Sequence, residues 1–172
     1  MELVVGSTWD GRLVGPEEAV TVRLVAGAEG LRVEVDAPLH GDPPPEAPPG
    51  SLEGLWDHEV VEVFLAGPPD GGAIPYTEVE IGPWGHFLVL RLHGARHPVA
   101  RGLPLELHVE HGEGRWRAVA RLDGAHFPPG PHRANAYAIH GTGRARRYLA
   151  WHPLPGPVPD FHQPARFPRI SG

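Results

Sequence analysis

Apolar and polar residues alternate with a period of two along most of this chain, in short runs separated by Gly and Pro. Val20, Val22 and Leu24 match Leu31, Val33 and Val35 across a Gly27–Gly30 turn, which predicts a hairpin over 20–25 and 31–36. A second hairpin is predicted over 105–110 and 115–122, where Leu105, Leu107 and Val109 answer Trp116, Ala118, Ala120 and Leu122 around His111-Gly112-Glu113-Gly114. Three segments lie between the hairpins, ending near Leu65, Ile81 and Leu92, and two more strands are read over 133–139 and 147–151. No amphipathic helix longer than two turns is visible. About nine short strands with Gly and Pro turns imply an all-β fold, a two-sheet antiparallel β-sandwich. At 172 residues the chain has room for one such domain over 1–172, with a Pro-rich loop at 41–50 and an irregular C-terminal tail at 153–172.

The middle segments carry the chemistry. In Glu59–Leu65 the residues Glu59, Val61, Val63 and Leu65 share one side, and Val60, Glu62 and Phe64 share the other. In the next segment Thr77, Val79 and Ile81 face together, which leaves Tyr76, Glu78 and Glu80 opposite. With the aliphatic sides in the core, Glu62, Glu78 and Glu80 turn outward on one sheet face. Like charges on neighbouring strands repel, so this face needs a cation or a ligand rich in hydroxyl groups. In His86–Leu92 the side Leu88, Leu90 and Leu92 is read as the core side, so Arg91 is expected to join the glutamates as their cation. Loop 41–50 is expected to form a rim of the site.

Composition narrows the function classes. The chain has no Cys, which removes disulfides, thiolate metal sites and a cysteine nucleophile. A net charge of −6 argues against a general nucleic-acid binder, and the run Arg144-Ala145-Arg146-Arg147 is read as a solvated turn. The N-terminus lacks a secretory pattern and no stretch approaches a membrane span of about 20 apolar residues, so a cytoplasmic location is expected. All fifteen basic residues are Arg, a bias in keeping with a GC-rich genome or high growth temperature. The twelve His include His108-x-x-His111 and His93-x-x-x-His97, neither a strong metal signature. Met1 is the sole methionine, which rules out Met and His ligation of haem inside the fold.

Trp56-x5-Glu62-Val63-Phe64-Leu65, Tyr76-x-Glu78-x-Glu80-Ile81-x-Pro83-x-Gly85, Asn135, Ala150-Trp151 and Phe161-His162-x-Pro164-x-x-Phe167 together resemble the family-9 carbohydrate-binding modules and the wider DOMON-like superfamily. Over its full length the chain also resembles a small family of unassigned activity that carries this domain, through Leu55-Trp56, Glu59–Glu62, Ala138–Gly141 and Asp160–His162. The resemblance to the sugar-binding modules implies that Trp56 stacks on a sugar ring, that Glu62 accepts hydroxyl hydrogen bonds and that Arg91 donates to the sugar. Their second stacking Trp falls near Ile139–Thr142, where this chain has none, and Tyr137 or His140 is the substitute.

A pyranose offers an apolar C–H face and a ring of hydroxyls, so its receptor needs an aromatic plate beside donors and acceptors. Trp56, Glu62, Tyr76, Glu78, Glu80, Arg91, Asn135 and His140 are the expected ligand contacts. The expected function is noncatalytic binding of a sugar-like small molecule, with no cofactor; Ca²⁺ is conceivable, as in some sugar-binding relatives, but no run of alternating acids marks it. Two alternatives stand beside it. One is a glycoside-processing enzyme using Glu62 with Glu78 or Glu80. The other is a metal- or haem-binding protein in which His58, His86, His140 and His162 meet near Glu62 or Asp160.

Overall fold

Strand pairing follows from the alternation. In the computed structural model, which describes residues 1–28, 30–130 and 133–170, the strands are β1 (Glu2–Val5), β2 (Ser7–Thr8), β3 (Val20–Gly27), β4 (Gly30–Pro38), β5 (Gly50–Ser51), β6 (Val60–Ala66), β7 (Pro75–Ile81), β8 (His86–His93), β9 (Pro98–Arg101), β10 (Glu106–Gly112), β11 (Arg115–Asp123), β12 (Arg133–His140) and β13 (Arg147–Ala150). One sheet runs β1-β3-β4-β11-β10; the other runs β2-β13-β12-β6-β7-β8-β5, with β9 beside β8. Both predicted hairpins form, as β3–β4 and β10–β11. Within the first turn Glu29 lies outside the described residues, as do Ser171 and Gly172 of the tail. No helix among the described residues is long and apolar enough to cross a membrane.

The inner faces of the two sheets make the main core: Val22, Val33, Val35, Trp116 and Ala120 from the first meet Val61, Val63, Val79, Ile81, Val89 and Ala136 from the second. This is the β-sandwich read from the sequence, and the phase of β6 and β7 is the expected one. The second sheet is unusual in burying its outer face as well. Leu55, Phe64, Tyr76, Leu88, Leu90, Tyr137 and Ile139 form a separate cluster there, closed by Leu154, Phe161 and Phe167 of the tail. Every residue of β6 is therefore buried, which explains why Val60–Ala66 is a nearly unbroken apolar run.

The tail is held to the sheet by backbone and side chains. Arg133 donates to the Phe167 carbonyl at 2.7 Å, and the Ala134 amide donates to that of Pro168 at 3.1 Å. Phe161 stacks on Tyr137 with ring centroids 3.8 Å apart, and Phe167 meets Phe64 edge-on at 5.7 Å. Loop 41–50, expected as a rim, runs elsewhere: His86 Nε2 donates to the Ala47 carbonyl at 2.8 Å and the Gly50 amide to that of Gly85 at 3.1 Å. The tail takes the place assigned to that loop.

Candidate functional site

Cross-strand register assembles the acids. Glu62 on β6 lies directly opposite Glu80 on β7, and Glu78 lies opposite Phe64, so all three share the outer face of the second sheet. One oxygen from each lies within 4.8 Å of the others. None is more than 3% exposed. Among the described residues neither oxygen of Glu80, nor Oε2 of Glu78, has a hydrogen-bond partner. Removal from water disfavours the charged form, so burial pushes the Glu62 carboxyl up to about 8 despite the pull of Arg146. Burial, reinforced by neighbouring acids, raises Glu80 to about 11 and holds Glu78 well above the ordinary carboxylate range. Burial thus favours the protonated form across the cluster, in which a carboxyl can donate as well as accept.

Above these acids is a hollow of about 430 Å³. Glu62 and Glu78 line its floor; Trp56, Tyr148, Phe161, His162, Leu90 and Arg146 are among its walls. Trp56 stands in a 3₁₀ turn, Leu55–Asp57, entered through Gly54 at φ 82, a left-handed conformation that favours glycine. Arg146 fixes that turn by donating to the carbonyls of Trp56 at 2.5 Å, Asp57 at 3.0 Å, His58 at 3.2 Å and Gly141 at 2.9 Å. Trp56 is left 39% exposed, a free aromatic surface over the hollow.

The opposite wall comes from the tail. Asp160 accepts from Arg96 at 2.7 Å and from the His162 amide at 3.2 Å, which sets the chain direction through Phe161. His162 Nδ1 is joined to the Tyr76 hydroxyl at 2.8 Å, and that hydroxyl accepts from the Arg96 amide at 3.1 Å. Burial, and then Arg96, lower the His162 pKa to about 4, so the ring is neutral. Its Nε2 faces Glu78 Oε2 from 4.0 Å, too far for a hydrogen bond.

The expected contacts divide accordingly. Trp56, Glu62 and Glu78 line the hollow, while Glu80 lies under it and Tyr76 is fully buried beneath His162. Asn135 shares the face but is fully engaged: its amide donates to Tyr137 Oη and the His152 carbonyl, and its oxygen accepts from the His152 amide. Arg91 is not there. Leu88, Leu90 and Leu92 pair with Glu80, Glu78 and Tyr76 and so share the acids' face, which turns Arg91, opposite Thr77, to the other side, where it is exposed. His140 also faces away, on the side of Ala136 and Ala138, where it bonds Glu18 at 2.9 Å and stacks on His40 at 3.5 Å. Of the four His proposed to gather, His162 alone reaches the hollow.

Sequence reasoning missed Arg96, Arg146, Tyr148 and Phe161 as wall residues. Arg146 belonged to the run read as solvated, and instead it ties two loops together. Asp160-Phe161-His162 was visible as a motif, though nothing in its spacing announced that the tail folds back over the sheet.

The fold and hollow define a β-sandwich with a ligand-sized cavity on one sheet face. A solved structure of a candidate carbohydrate-binding protein from Bacteroides uniformis has the same fold, with a TM-score of 0.65 at 16% identity over 86% of this chain and 75% of that one. No protein-family profile matches the chain. Among curated proteins it is 39% identical to human UPF0462 protein C4orf33 over 94% of this chain and 83% of that protein. It is 37% identical to the zebrafish (Danio rerio) homolog over 95% of this chain and 85% of that one, and 38% identical to the mouse homolog over 99% and 91%. The chain belongs to the UPF0462 (C4orf33) family.

Proposed function

We propose that the hollow binds a small carbohydrate or similar polyhydroxyl molecule without transforming it. The observation that carries this reading is the union of a half-exposed Trp56 wall with a floor of two buried carboxyl groups, Glu62 and Glu78, around about 430 Å³. That volume falls in the range of small-molecule sites, about 300 to 1,000 Å³. The indole offers an apolar plate for a C–H face, and protonated carboxyls match hydroxyl groups as both donors and acceptors. The Bacteroides uniformis protein's description as a candidate carbohydrate binder and the family-9 resemblance at Trp56 and Glu62 point the same way.

Net gains of about 1 kcal/mol per exchanged hydrogen bond place the affinity between micromolar and millimolar. Hydrolysis fits less well. Glycosidases set the pKa values of their two carboxyls apart, whereas burial raises both Glu62 and Glu78 in the same direction. Tryptophan fluorescence titration with neutral, acidic and amino sugars tests the proposal. Saturable quenching that is lost in Trp56→Ala is expected; no response across the panel overturns it, and turnover of aryl glycosides that disappears in Glu62→Gln makes the protein an enzyme.

A further inference from the structure

Glu80 sets a requirement that a sugar cannot meet. It is fully buried, neither of its oxygens has a partner among the described residues, and it does not line the hollow, so hydroxyl groups of a bound ligand do not reach it. Its side chain nevertheless points into the space it shares with Glu62 and Glu78, where one oxygen from each lies within 4.8 Å of the others. Only something small enough to sit among the carboxyls serves all three.

We propose that Glu62, Glu78 and Glu80 form a binding site for one oxygen-preferring divalent cation, of the Ca²⁺ or Mn²⁺ kind, beneath the hollow. Oxygens around an ion at about 2.4 Å lie about 3.4 Å apart when adjacent and about 4.8 Å apart when opposite, and one oxygen from each of these carboxyls lies within 4.8 Å of the others. Once ionised, Glu62 and Glu80, directly opposite on adjacent strands, would repel one another, and a cation between them takes the place of their protons and reverses the sign of that interaction. Among the described residues no Arg side chain forms an ion pair with Glu62 or Glu80. Arg96 and Arg101 are paired with Asp160 and Glu53, and Arg146 is held by backbone carbonyls.

The donor set decides the kind of ion. Three carboxylates and no thiolate favour a hard cation over Zn²⁺ or Cu⁺. Glu62 and Glu78 open onto the hollow, which gives the ion an entry path and room for water on its remaining positions. His162 Nε2, 4.0 Å from Glu78 Oε2, is placed to bond such a water. The site shares Glu62 and Glu78 with the floor of the hollow but adds Glu80, which a sugar does not touch, so cation binding measured without any sugar is tested separately from the sugar reading.

The test uses the full chain, stripped with EDTA, exchanged into chelator-free buffer near neutral pH and titrated with MnCl₂ in the absence of any sugar. Electron paramagnetic resonance and calorimetry are expected to show one Mn²⁺ per chain, displaced by Ca²⁺ and accompanied by a rise in thermal midpoint. Glu80→Gln and Glu78→Gln are each expected to weaken binding by about 100-fold or more, while Glu53→Gln, at a carboxyl paired with Arg101 outside the cluster, leaves it unchanged. The Gln variants carry no buried charge, so both are expected to fold, as circular dichroism checks. Failure of the stripped wild-type protein to bind either ion at millimolar concentration, or binding that survives both Gln variants unchanged, overturns the site.

Discussion

Replacing Glu80 by Gln should make the protein's stability less sensitive to pH. In the folded, metal-free chain burial raises the Glu80 carboxyl to about 11, from an ordinary value of 4.5. An acid whose folded pKa lies above its unfolded one binds more protons when folded, so the folded state loses stability as pH rises from about 4.5 toward the folded pKa. The slope is about 1.4 kcal/mol per pH unit for each such proton. Gln has the shape of the protonated acid and nothing to release. Between pH 5 and pH 8, Glu80→Gln should therefore gain about 4 kcal/mol relative to wild type, a large part of the roughly 5–15 kcal/mol available to a domain. Urea unfolding at pH 5, 6.5 and 8 in EDTA, followed by tryptophan fluorescence, measures it. Parallel pH dependences for the two proteins would refute the idea that Glu80 is held protonated by burial.

Phe161→Ala removes the ring stacked on Tyr137 and should cost about 3 kcal/mol in urea unfolding, while opening the tail side of the hollow to faster amide exchange. Arg146→Ala frees the carbonyls of Trp56, Asp57 and His58; a loss of about 1–2 kcal/mol and a mobile Trp56 indole, seen by fluorescence anisotropy, are expected. Arg91→Ala, on the exposed opposite side, should change stability by less than about 0.5 kcal/mol and leave ligand titrations unaltered.

The phase of β6 and β7 was legible because each strand has one side of branched aliphatics and another bearing acids, a contrast that survives without tertiary information. The same logic failed on β8. His86–His93 is apolar on both sides because both faces of the sheet are covered, so the three leucines looked like the core face although Val89 fills it. Only pairing with β7 resolves the choice, and it moves Arg91 away from the acids. Coverage itself was illegible for a related reason. Residues 153–170 carry no periodicity, and the interactions that fold them back, such as Arg133 with the Phe167 carbonyl, span 34 positions. The strands β1, β2, β5 and β9 have two to four residues each, too few for alternation to register.

Two-dimensional ¹H–¹⁵N NMR titration with a sugar that quenches tryptophan fluorescence tests the cavity most directly. The account predicts saturable shifts confined to the Trp56 indole, Glu62, Glu78 and the Phe161-His162 amides, with Arg91 and His140 silent. Shifts that instead cluster around Arg91 or His140, with Trp56 unmoved, would contradict it.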